Sequence, residues 1–174
     1  MGIDVYLKWK GQDEEEKKAQ FTGFSVTAGN AGYLREAYHG GPYATHILVR
    51  EAFESEDCQA RIPAAVLRER LTSVTEPARG CDGGSKTAAI VFDMLKSTLG
   101  NDVHCDSAAT QPFSTHQTEP QTVEECVRAR CASIYPDMSA DEVEEYVQSF
   151  RDFVALAEKK EAETGETCTV YASY

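Results

Sequence analysis

Residues 32–43, GYLREAYHGGPY, gather a guanidinium, an imidazole and three phenols against Gly40-Gly41-Pro42. With Asn30 as a cap and a short helix over 31–39, Arg35, Tyr38 and His39 share one side of that helix. Tyr33, Leu34 and Ala37 share the other. A guanidinium, a phenol and an imidazole on one small face suit an anion or a carboxylate, with Tyr43 and the backbone amides of Gly40 and Gly41 close by. The candidate ligand-binding set is therefore Arg35, Tyr38, His39, Gly40, Gly41 and Tyr43. If the site is catalytic, Arg35 is the anion clamp and His39 the acid or base of a small hydrolase or transferase acting on an anionic metabolite. Backbone demands alone also account for the segment. Gly40 takes a left-handed position past the helix, Pro42 prevents its resumption, and His39 in the last turn suits the helix dipole.

Other stretches offer less. GCDGGSKT at 80–87 misses the phosphate-loop spacing, because Gly84 comes one position early and Ser85 separates it from Lys86. A connector into the next helix explains it better. His104, Cys105, Asp106 and His116, with Cys81 upstream and Cys126 downstream, supply metal-ligand types. Zinc favours paired donors two to four residues apart, and adjacent His104-Cys105 does not provide that geometry. Cys126 and Cys131 stand about 140° apart around a helix, so they are expected as small core residues and not as co-ligands. No metal and no cofactor is expected. The chain lacks a GxSxG nucleophile elbow, and the acid pairs Glu124-Glu125 and Glu144-Glu145 fall on faces opposite the apolar stripes.

The elements that would position these groups follow from periodicity. Ile3, Val5, Leu7 and Trp9 alternate with Asp4, Tyr6, Lys8 and Lys10, the pattern of a half-buried strand. Cys168, Val170 and Ala172 alternate with Thr167, Thr169, Tyr171 and Ser173 in the same way, which suggests two neighbours in one sheet. DEEEKK at 13–18 predicts a short solvated helix. YATHILV at 43–49 and FTGFSVTA at 21–28 lean towards strand. Helices are expected over IPAAVLRERL, with Pro63 in its first turn, and over KTAAIVFDMLKSTLG. Two capping boxes, Thr122 with Glu125 and Ser139 with Glu142, open two more. The second is the longest, its stripe running through Val143, Tyr146, Val147, Phe150, Val154 and Ala157 to a stop at Gly165. Residues 101–121 are polar and aperiodic and predict a long flexible loop.

The 174 residues suffice for one domain with its own core, and the elements make it α+β: a small, mainly antiparallel sheet containing both termini, covered by helices. Seventeen basic against 29 acidic residues leave a net charge of −12, and 13 acids against 5 bases lie between 119 and 166. Such a field repels a phosphate backbone, so no nucleic-acid partner is expected. No apolar run approaches a membrane span, MGIDVYLKWKG lacks a secretory pattern, and Tyr6 stands where a myristoylation signal wants serine or threonine. Six cysteines without CxxC spacing fit reduced thiols in a cytoplasmic protein. The expected function is an acidic binding or interaction module without catalysis. Its partner is a protein or a small anionic ligand, with a homo-oligomer as a further option.

Overall fold

The alternation of apolar residues at the start of the chain becomes an inner strand of a sheet. In the computed structural model, which describes residues 2–21, 28–37, 43–76 and 121–173, β1 (Gly2–Lys8) buries Ile3, Val5 and Leu7 completely. It pairs antiparallel with β2 (Tyr33–Ala37) on one side and β4 (Thr169–Ser173) on the other. A three-residue strand, β3 (Gln59–Arg61), completes the order β2-β1-β4-β3. The first and last strands are thus direct neighbours, as their matching alternation suggests. The α+β class holds.

Helices cover one face. After β1 comes α1 (Glu14–Phe21), and a 3-10 turn (Gly29–Ala31) leads into β2. Two short helices, α2 (Ala44–Leu48) and α3 (Arg50–Glu54), precede β3; α4 (Ala64–Thr72) follows it, starting one residue after Pro63. The capping boxes form as the sequence predicts. Thr122 accepts from the Glu125 amide at the head of α5 (Val123–Ile134), and Ser139 does the same for Glu142 at the head of α6 (Ala140–Thr164). Gly165 closes α6 at φ 68°, a left-handed cap that suits glycine. Val147, Phe150, Phe153, Val154 and Ala157 of α6 pack with Leu67 and Leu71 of α4 and with Val123, Cys126, Val127 and Cys131 of α5. The two cysteines of α5 are buried core residues.

Gly29 lets the 3-10 turn lie directly on α6. A Cβ there would stand 1.6 Å from the Ser149 carbonyl oxygen. The buried Gln20 side chain fastens α1 to the same corner, donating to the carbonyls of Leu7 at 2.7 Å and Gly32 at 3.2 Å.

Three expectations change. Residues 33–37 are a strand, where a helix was expected over 31–39. Residues 44–48 are a helix, where alternation suggested a strand over 43–49; all but His46 are buried, so this short run has no exposed polar face and its period carries no information. Phe21 ends α1 and does not start a strand, while 22–27 lie outside the described residues. Also outside them are GCDGGSKT, the helix expected over KTAAIVFDMLKSTLG, the metal-type residues Cys81, His104, Cys105, Asp106 and His116, and the expected loop at 101–121 apart from Gln121. Among the described residues no helix is long and apolar enough to cross a membrane.

Candidate functional site

Of the six residues expected to bind a ligand, Tyr38, His39, Gly40 and Gly41 lie outside the described residues, and Arg35 and Tyr43 are separated. A strand sends successive side chains to opposite faces. Arg35 lies opposite Asp4 on β1 and reaches its carboxylate at 3.7 Å, on the face away from the core. Tyr33 shares that face and donates its hydroxyl to Asp4 at 2.6 Å. Burial first, and then this bond, push the Tyr33 phenol well above its ordinary pKa.

Glu36, the residue after Arg35, points the other way, into the protein, and there it replaces the missing cap of α2. The N-cap residue Tyr43 offers no side-chain bond. The Glu36 carboxylate instead accepts from the Ala44 amide at 3.0 Å, the Thr45 amide at 3.0 Å and the Thr45 hydroxyl at 2.8 Å. Arg130 of α5 closes on it at 3.2 Å, donates to the Ala37 carbonyl at 3.3 Å and lies 4.7 Å from the centre of the Tyr43 ring. Both charged side chains are almost enclosed, Glu36 at 11% and Arg130 at 12% exposure. Burial pushes the Glu36 carboxyl above the usual range against the opposing pull of Thr45 and Arg130.

Behind this knot His46 packs between Tyr43 and Phe53, with ring centres at 5.0 and 4.2 Å. Burial, helped by Arg130, pulls its imidazole down to about 4, so it is neutral at neutral pH. Burial also raises the thiols of Cys126 and Cys131, which face the Glu36 charge. A thiol nucleophile needs a lowered pKa and access, and these have neither. The groups here that resemble catalytic machinery serve the packing of α2 against α5 and β2.

A second assembly lies on the outer face of the sheet. Strand register places Lys8, Thr169 and Arg61 side by side across β1, β4 and β3. The adjoining row is Tyr33, Tyr6, Tyr171 and Gln59. Tyr6 stands 5.1 Å from Tyr33 and 5.4 Å from Phe21, ring centre to ring centre. Where the two rows reach the β3 edge, a cleft of about 520 Å³ opens, lined by Lys8, Lys10, Gln59, Arg61, Thr169 and Tyr171 among others. Lys10 closes on Glu166, the one carboxylate of its lining, and holds that carboxyl below its ordinary pKa, with a smaller contribution from Arg61. Lys8 sits 5.7 Å above the Tyr171 ring. Among the described residues neither Lys8 nor Arg61 pairs with a carboxylate.

The sequence reading placed Lys8, Thr169 and Tyr171 on polar strand faces, but it did not join them. Their meeting depends on the register between β1 and β4 and on the pairing of β3, which periodicity does not encode. No protein-family model matches this chain, and searches of curated proteins and solved structures likewise gave no significant match.

Proposed function

We propose that the protein is an acidic, non-catalytic binding module whose outer-face cleft holds a small anionic ligand. One observation carries this. On a chain of net charge −12, strand pairing assembles Lys8, Lys10 and Arg61 around one cavity against a single lining carboxylate, that of Glu166. Local positive potential in a cleft attracts an anion even when the whole molecule is acidic, because salt at about 0.1 M screens charges more than about 10 Å away. A cytoplasmic setting agrees with the free thiols of Cys58, Cys126, Cys131 and Cys168. The competing view, a hydrolase or transferase built on residues 32–43, rests on Arg35 and His39 sharing a helix face, and His39 lies outside the described residues. Arg35 and Glu36 belong to a strand, and the inward groups hold α2 in place.

Titration with pyrophosphate, followed by amide chemical shifts at about 0.1 M salt, tests the proposal. Saturable binding that shifts Lys8, Arg61 and Thr169 is expected, and Lys8→Gln with Arg61→Gln should weaken it at least about tenfold, since each charged hydrogen bond contributes about 1.5–3 kcal/mol. Binding unchanged in a folded double variant, or no binding by the parent protein, overturns it.

A further inference from the structure

Building on this anion-binding reading, we infer that the ligand is a small phosphomonoester carrying a planar aromatic ring, the chemistry of a mononucleotide. The rows of the sheet supply the argument. Lys8 and Arg61 flank Thr169 in register, and two strand spacings put their backbones about 10 Å apart. Two long cationic side chains at that separation can both reach one tetrahedral anion lying over Thr169. Arginine gives such an anion two parallel donors, and lysine gives a point charge.

The next side chain on the same face of β4 is Tyr171, two residues on and about 7 Å along the strand. That distance is the reach of one pentose. Tyr171 is half-buried, with Tyr6 and Gln59 opposite it on the two neighbouring strands, so its ring is held by the sheet and is not a loose surface group. A ring already in cation contact with Lys8 offers a π face to a planar partner beside a phosphate anchor. Stacking of a base on a tyrosine raises affinity roughly tenfold or more.

Size and charge limit the ligand. The cleft volume of about 520 Å³ falls within the ~300–1,000 Å³ of small-molecule sites. A single phosphate meets Lys8 and Arg61, whereas a polymer leaving the cleft meets a molecule of net charge −12. The inference is therefore a mononucleotide and not a strand.

Calorimetric titration with adenosine 5′-monophosphate, ribose 5-phosphate and adenosine separates the contributions. The monophosphate is expected to bind at least about tenfold more tightly than ribose 5-phosphate, with its base protons shifted upfield by the Tyr171 ring. Tyr171→Leu should remove that preference and leave ribose 5-phosphate binding in place, while Tyr171→Phe should retain it. Equal affinity for the two phosphates in the parent protein, or base protons that do not shift, overturns the ring assignment. If ribose 5-phosphate still binds through Lys8 and Arg61 in that case, the anion-binding reading stands by itself; if neither phosphate binds, both fall. A short single-stranded RNA that binds more tightly than the monophosphate overturns the restriction to a small ligand.

Discussion

Removing the Glu36 carboxylate should cost the protein a large share of its stability. In Glu36→Ala the amides of Ala44 and Thr45 and the Thr45 hydroxyl lose their acceptor, and Arg130 loses its counter-charge at 3.2 Å. Water cannot readily replace the carboxylate, because both partners are only about a tenth exposed. Breaking an enclosed ion pair from one side costs about 3–5 kcal/mol, so a loss of about 4 kcal/mol is expected against a total of about 5–15. With a denaturant slope of about 2 kcal/mol/M, the urea midpoint should fall by about 2 M. Arg130→Met should cost less, since Glu36 keeps its three donors from α2. The double variant should fall short of the sum of the singles by about 2 kcal/mol, the signature of groups acting on one another. Urea unfolding followed by circular dichroism measures all three. A loss below about 1 kcal/mol for Glu36→Ala, or strict additivity, would refute the view that this knot holds the α2 start to β2 and α5.

Two further outcomes are expected. The His46 imidazole lies at about 4 in the folded protein against 6.5 for the free group, so the unfolded chain takes up its proton first and stability falls as pH drops from about 6.5 to 4, by about 3 kcal/mol; His46→Phe should flatten that slope, and an unchanged difference between unfolding at pH 7 and pH 4.5 would contradict it. Gly29→Ala forces a methyl against the Ser149 carbonyl and should lower the melting temperature by about 10 °C, whereas Gly11→Ala, with nothing within 4 Å and only a left-handed φ to strain, should cost about 1 kcal/mol; equal melting of the two variants would show that the turn moves off α6.

The parts of the fold that periodicity and caps could specify were legible. Both capping boxes, the long α6 and the two terminal strands depend on local spacing, and the local spacing was sufficient. The segment around the expected site was not legible, for a particular reason. Strand β2 carries a carboxylate on its inward face, so Leu34 and Glu36 do not present the apolar alternation that marks a strand. What makes an acid tolerable there is the open start of α2 and the guanidinium of Arg130, brought from a remote stretch of chain. Neither is visible in a short window. The same holds for the cleft, since Lys8, Arg61 and Tyr171 become neighbours only through strand pairing.

The pairing of β1 with β4 also sets the order in which the molecule can be made. Residues 2–8 leave the ribosome long before residues 169–173, and until those follow one of their two hydrogen-bonding edges has no partner. During that interval β2 can occupy one side of β1, while the other edge stands open beside Ile3, Val5 and Leu7. Open strand edges recruit other chains. Closing so long a loop also costs more entropy than any local contact, which places β1–β4 pairing late in folding. The nascent chain therefore carries an open β1 edge until β4 emerges, and the four-stranded sheet is complete only then.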